Sequence, residues 1–73
     1  MLNNNDLKKI FENLGMKINF DEISTSAPLT SVGIDSLDFF NILVEAERLT
    51  GKSVPDEDIE MLTSIDEILA YFS

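Results

Sequence analysis

The chain contains no cysteine and no histidine, and these two absences exclude much of the chemistry that small proteins perform. Without cysteine there are no disulfides and no thiolate ligands for zinc. Without histidine there is no imidazole base, so Ser-His and Cys-His nucleophilic pairs are also missing. The sequence therefore predicts a protein that is not an enzyme.

Basic residues are scarce as well. Five Lys and Arg residues stand against 14 Asp and Glu residues, which gives a formal net charge of −9. A chain of this charge repels nucleic acids and anionic membrane surfaces, which are themselves negatively charged. We therefore expect its partners to be proteins that carry basic patches.

The chain also lacks a long apolar run, since none approaches the ~20 residues of a membrane helix. The first residues, Met1 to Asp6, have neither the basic start nor the apolar core of a signal peptide. With 73 residues, of which 44% are hydrophobic, the sequence has the composition of one small globular domain. We expect a single domain over residues 1–73, monomeric and cytoplasmic, without membrane insertion.

Helical periodicity is clearest in two long stretches. Leu7 begins an apolar i, i+3, i+4, i+7 pattern that a cap at Asn4 or Asn5 would precede and Gly15 would end. A second helix is predicted to begin at Asp35 or Ser36, to run to about Thr50 and to end at Gly51. Its apolar positions are too many for one buried stripe, so the helix is either central or presents an apolar face to a partner.

Two further helices follow, and no strand partners are predicted. Pro55 suits the first position of a short third helix, whose Ile59 and Leu62 should face inward. Ser64 and Glu67 have the spacing of a capping box for the last helix. Residues 15–35 are predicted to form a long extended connection, anchored by Leu29, Val32 and Ile34. The fold class is thus an all-α four-helix bundle with three longer helices and one short one.

The stretch from Gly33 to Leu37 allows two interpretations. Asp35 and Ser36 are both good N-cap residues, and Gly33 suits the turn before a helix, so the segment could be only a helix start. Alternatively, Ser36 displays its hydroxyl at a helix N-terminus for another enzyme to modify. Ser36 is not itself predicted to be a nucleophile, because the chain offers it no suitable base.

Gly33-Ile34-Asp35-Ser36-Leu37-Asp38 resembles the phosphopantetheine attachment motif of acyl carrier proteins. The resemblance covers nearly the whole chain, including the long loop before the motif, Val54 to Glu57, and Thr63 to Glu67. It implies that a phosphopantetheinyl transferase attaches 4′-phosphopantetheine to Ser36. The cofactor thiol would then carry an acyl group as a thioester for fatty acid, lipid or polyketide-type biosynthesis.

The resemblance also implies a surface where partner enzymes dock. On this chain the expected docking surface, around the second helix, consists of Asp35, Leu37, Asp38, Phe40, Asn41, Val44, Glu47 and Arg48. Members that serve general fatty acid synthesis usually have acidic residues where Asn41 and Arg48 stand, and Phe39-Phe40 is bulkier than usual. Because a cation here would weaken docking to generic basic partners, we expect a specialised carrier with its own loading enzyme or synthase.

Two other functions remain open at this point. The chain could be an aminoacyl or peptidyl carrier of the nonribosomal type, or an unmodified acidic adaptor that only binds proteins. The acids at positions 56, 57, 58 and 60 lack the spacing of a calcium-binding loop, and they suit the first turn of a short helix. We therefore predict no metal site.

Overall fold

A computed structural model describes residues 2–72, and over this range the chain is helical with no strand. Four α-helices follow one another: α1 (Asn4–Asn13), α2 (Ser36–Thr50), α3 (Asp56–Ile59) and α4 (Ile65–Tyr71). The predicted fold class, with three longer helices and one short one, is confirmed.

Helix α1 begins one residue earlier than the predicted caps allow. Asn3 is the N-cap, and its side chain accepts the Asp6 N–H at 2.9 Å while the Asp6 carboxylate accepts the Asn3 N–H at 3.3 Å. The predicted caps at Asn4 and Asn5 were therefore wrong, because only Asn3 has an acid three residues along to complete this reciprocal pair. The end at Gly15 is confirmed: its N–H donates to the Glu12 carbonyl, and its φ is +69°.

The connection between α1 and α2 is not simply extended, as the sequence suggested. It contains two 3₁₀ turns, Phe20–Glu22 and Leu29–Val32. The Leu29 N–H donates to the Thr63 carbonyl at 2.8 Å, and the Asp66 N–H donates to the Thr25 carbonyl at 2.9 Å. These bonds tie the connection to the start of α4. Leu29 and Ile34 are buried and Val32 is half-buried, so the three predicted anchors do pack on the core.

The N-terminal ends of α3 and α4 also differ in detail from the predictions. Pro55 is the N-cap of α3, where the sequence suggested the first helical position. Ser64 caps α4 as predicted and accepts the Glu67 N–H, but the Glu67 carboxylate accepts the hydroxyls of Thr63 and Ser64. Only one arm of the predicted capping box therefore forms, since the Glu67 carboxylate bonds these two hydroxyls instead of the Ser64 N–H.

One hydrophobic cluster contains the buried side chains of all the longer helices. Leu7 of α1, Ile42 and Ala46 of α2, and Ile65 and Ile68 of α4 are each 0% exposed. Ile59 and Leu62 face inward as predicted, although Ile59 is only half-buried. The core fixes which side of α2 faces inward and thereby sets which of its residues reach the surface.

Candidate functional site

Helix α2 begins where the sequence predicted, and it follows a turn that contains a left-handed glycine and a side-chain cap. Asp35 is the N-cap, and its carboxylate accepts the Asp38 N–H at 2.8 Å. Gly33 has a φ of +92°, a left-handed conformation that L side chains adopt only with strain. This turn joins the 3₁₀ segment to α2, and buried Ile34 holds it against the core.

Ser36 is the first residue of α2 rather than its cap. It is exposed, and its hydroxyl has no hydrogen-bond partner within residues 2–72. The backbone N–H groups of Ser36 and Leu37 likewise have no acceptor in this part of the chain. A phosphate ester on this hydroxyl would therefore lie near free amides and the positive end of the helix dipole.

An apolar cavity of about 360 Å³ borders Ser36. Its walls come from four segments: the loop before α2, the first turns of α2, α3, and the residues that follow α3. The lining side chains include Leu29, Ile34, Phe39, Phe40, Ile59 and Leu62. No sequence pattern predicted this cavity, although the excess of apolar residues on α2 indicated that some of them face something other than the core. Such a space is suited to an apolar ligand chain.

The outer side of α2 carries most of the expected docking surface. Leu37 is 68% exposed and Phe40 is 52% exposed, while Asn41 and Val44 are half-buried. Residues 37, 41, 44 and 48 follow i, i+4, i+7, i+11 spacing, which places them on one stripe of the helix. Two apolar side chains and one amide therefore precede Arg48 along this stripe.

The charged members of the expected docking surface mostly have partners of their own. The Arg48 guanidinium lies 2.9 Å from the Glu45 carboxylate, with the Arg48 side chain 73% exposed. The Glu47 carboxylate accepts the Val54 N–H at 2.7 Å and is half-buried. Asp35 caps the helix, and Asp38 is half-buried beside it. Of the acids on α2, Glu45 is thus paired with a cation and Glu47 is bonded to a backbone N–H.

The acidic run near α3 does not assemble a metal site. Within the described residues, no group of three His, Cys, Asp or Glu side chains is placed to hold a metal ion. Asp58 instead accepts the Tyr71 hydroxyl at 3.0 Å. No helix in residues 2–72 is long and apolar enough to cross a bilayer.

Comparison with known proteins agrees with this geometry. Residues 7–72 match the family model described as the phosphopantetheine attachment site. The chain belongs to the phosphopantetheine-binding acyl carrier protein family. The motif around Ser36 lies within the matched range, and the predicted covalent 4′-phosphopantetheine is confirmed for the domain. Family membership also confirms a carrier that is not an enzyme and that a phosphopantetheinyl transferase modifies.

Two curated relatives show the extent of the similarity. An acyl carrier protein homolog from Mycoplasma genitalium is 33% identical over 63 residues, which cover 86% of this chain and 75% of the relative. A mitochondrial acyl carrier protein from Dictyostelium discoideum is 36% identical over 63 residues, which cover 80% of this chain and 52% of the relative. The chain thus spans about half the length of the second relative. No solved structure matches the chain significantly.

Proposed function

We propose that residues 1–73 act as one carrier domain in which Ser36 bears the phosphopantetheine arm and the cargo is an acyl group. The observation that carries this proposal is the exposed Ser36 hydroxyl, without a partner in the described residues, at the edge of the apolar cavity. The thiol of the attached arm supplies the thioester chemistry that a chain without cysteine lacks. The protein residues position the arm and shelter the apolar part of the cargo.

The other described serines support the choice of Ser36. Ser31 donates its hydroxyl to the Pro28 carbonyl at 2.6 Å, and Ser64 is a buried helix cap. Ser24 and Ser26 lie 3.3 Å apart, oxygen to oxygen, and bond each other. Ser53 is exposed and unbonded like Ser36, but it lies in a loop away from the apolar cavity. It therefore provides a matched control.

The attachment is tested by intact mass after incubation with coenzyme A and a phosphopantetheinyl transferase. We expect the parent chain and Ser53→Ala to gain the mass of one phosphopantetheine group, and Ser36→Ala to gain none. A mass gain on Ser36→Ala would show that the arm is attached elsewhere. An unchanged mass of the parent chain with an active transferase would contradict the proposal as a whole.

The cargo is proposed to be an acyl chain rather than an amino acid. The lining of the cavity is mostly apolar and is suited to a hydrocarbon chain, and its two carboxylates, Asp35 and Glu60, are both exposed to solvent rather than buried where an α-amino group would need a partner. The two curated relatives are also acyl carrier proteins by name. Loading the holo-carrier with a short fatty acyl group and with an aminoacyl group, and comparing the melting temperatures of the products, tests this point. We expect stabilisation by the acyl group alone.

Partner recognition is proposed to use the stripe of α2 that contains Leu37, Asn41 and Arg48. Arg48 places a cation on this stripe and also pairs with Glu45, so a basic patch on a generic synthase would meet less negative charge. The protein is thus proposed to serve a dedicated loading enzyme or synthase. Each exposed charge contact of this kind is worth roughly 0.2–1 kcal/mol.

A charge-matched pair of double variants tests that proposal. Asn41→Glu with Arg48→Glu adds acid to α2 and frees the Glu45 carboxylate, while Lys9→Glu with Asn13→Glu changes the net charge equally on α1. We expect only the α2 variant to be acylated faster by a loading enzyme of general fatty acid synthesis, by a few-fold to about tenfold at low salt. Equal effects of the two variants would show that net charge, and not the α2 stripe, governs recognition.

The cytoplasmic location and the monomeric state remain predictions. The relative from Dictyostelium discoideum is described as mitochondrial, so family membership does not fix the compartment. Cell fractionation tests the location, and size-exclusion chromatography with light scattering tests the monomer. A mass above that of one 8.2 kDa chain would contradict the second prediction.

A further inference from the structure

Helix α3 itself makes few hydrogen bonds to the rest of the protein. It spans four residues, none of them fully buried, and its N-cap Pro55 makes no side-chain hydrogen bond. The backbone bonds of this segment are local: Asp58 N–H to the Pro55 carbonyl, Met61 N–H to the Asp58 carbonyl, and Leu62 N–H to the Ile59 carbonyl. Because one helical turn is unstable by itself, tertiary contacts must hold α3 in place.

One of those contacts is the hydrogen bond between α4 and α3. The Tyr71 hydroxyl donates to the Asp58 carboxylate at 3.0 Å, in a partly buried position. Among the described residues, it is the one hydrogen bond that joins residues 55–62 themselves to another helix, while Val54 just before them is bonded to Glu47 and Thr63 just after them to Leu29. Lys52 in turn fixes the tyrosine, because its ammonium donates to the Tyr71 carbonyl at 2.8 Å and lies 4.6 Å from the ring centre.

The segment held by this bond forms one wall of the apolar cavity. Ile59, which follows Asp58 directly, lines the cavity together with Leu62. Ser36 and Phe39 of α2 line it as well. A displacement of α3 would therefore widen the cavity at two of its apolar lining side chains.

We infer that the hydrogen bond from Tyr71 to Asp58 holds α3 closed over the cavity beside Ser36 and thereby controls how well the carrier shelters its acyl group. Both residues are positioning residues, since neither lines the cavity itself. The inference rests on the proposed function for its cargo, but the closure of α3 is a property of the unmodified chain. The two can therefore be tested separately.

Amide hydrogen exchange of the unmodified protein tests the closure. We expect residues 57–62 to exchange about tenfold faster in Tyr71→Phe, because a hydrogen bond to a charged carboxylate is lost. Asp58→Ala should behave similarly, and the double variant should be no faster than either single one if Asp58 acts through Tyr71. Unchanged exchange in Tyr71→Phe, or additive effects in the double variant, would overturn the inference.

Asp21→Ala is the matched control. The Lys8–Asp21 pair, at 2.7 Å, also joins residues 13 positions apart and also connects a short turn to a longer helix, but it does not border the cavity. We expect exchange of residues 57–62 to be unchanged in this variant. An equal acceleration there would mean that general destabilisation, and not the release of α3, explains the result.

The cargo is tested with an octanoyl group as the probe. A phosphopantetheinyl transferase transfers octanoyl-phosphopantetheine from octanoyl-coenzyme A to the serine hydroxyl and releases adenosine 3′,5′-bisphosphate. Hydroxylamine is then added, and the rate at which it cleaves the thioester is measured. We expect cleavage to be several-fold faster in Tyr71→Phe than in the parent chain or Asp21→Ala. Faster exchange with unchanged cleavage would show that the closure of α3 does not control how well the acyl group is sheltered, and would overturn that part of the inference. A parent chain that cannot be loaded would contradict the proposed function. In that case the exchange result alone would decide whether the bond holds α3 closed.

Discussion

Gly33→Ala and Gly51→Ala should have similar effects on stability but different effects on modification. Gly33 has a φ of +92° and Gly51 a φ of +74°, and a Cβ added at either position would meet no atom within 4 Å. The cost is therefore backbone strain alone, about 1–2 kcal/mol for an L residue in the left-handed region. For a domain of this size, each kcal/mol lost from the free energy of unfolding should lower the melting temperature by about 4–8 °C.

The two glycines differ in what their turns position. Gly33 lies three residues before Ser36, whereas Gly51 ends the same helix at its far end, four turns away. Relief of strain at residue 33 would move the start of α2, but relief at residue 51 would affect only the helix end. We expect the kcat/KM of a phosphopantetheinyl transferase to fall by at most about tenfold for Gly33→Ala and to stay near the parent value for Gly51→Ala.

The assay follows phosphopantetheine transfer by intact mass at a temperature well below both melting points. Comparing the two variants at equal stability separates local positioning from general unfolding. Equal transfer rates for the two variants, together with equal losses of stability, would refute the reasoning that the Gly33 turn positions Ser36. A much larger loss of stability for Gly33→Ala would refute the strain estimate itself.

Three other predictions concern stability and titration. Ser36→Ala should change the free energy of unfolding by less than about 0.5 kcal/mol, since the side chain is exposed and unbonded. Ser64→Ala should lower the free energy of unfolding by about 1 kcal/mol, because it removes the α4 cap. Chemical denaturation measures both values, and equal losses would contradict this prediction. With a net charge of −9, the melting temperature should rise from low to moderate ionic strength, and a constant value would argue against charge repulsion. Partial burial and the bond to Asp58 raise the pKa of Tyr71 above its ordinary value of 10.0. The folded state therefore keeps this proton longer than the unfolded state, and the associated stability is lost as the pH rises above 10.0. Ultraviolet absorbance of this single tyrosine should show the raised pKa, and Asp58→Ala should lower that pKa. Circular dichroism at each pH confirms that the chain is folded. A titration without a shift would contradict the hydrogen bond.

The helix boundaries that depend on side chains near in sequence were predicted well. The limits of α2 follow from Asp35 before it and Gly51 after it, because each satisfies backbone groups of the adjoining turn. The start of α1 was missed by one or two residues because three asparagines stand in a row. The deciding signal was Asp6, which pairs only with the asparagine three residues before it.

The features that depend on distant segments were not predicted. The 3₁₀ turn Leu29–Val32 is held by a bond from Leu29 to Thr63, more than 30 residues away. The cavity beside Ser36 combines side chains from the loop, α2 and the α3 region, and no local pattern indicates that they meet. Likewise, no local pattern predicted that the Glu47 carboxylate accepts the Val54 N–H.

The geometry of α2 explains how a chain with so little chemistry of its own can serve as a carrier. Leu37 and Phe39 point to nearly opposite sides of the helix, since they are two residues apart at 100° per residue. Leu37 is exposed, and Phe39 lines the cavity, while Ser36 lies between the two sides. Phe40 is 52% exposed and also lines the cavity, so it alone of the three apolar residues belongs to both surfaces. The proposed roles in recognition and shelter should therefore be separable by substitutions at Leu37 and Phe39, whereas a substitution at Phe40, one turn beyond the serine, should affect both.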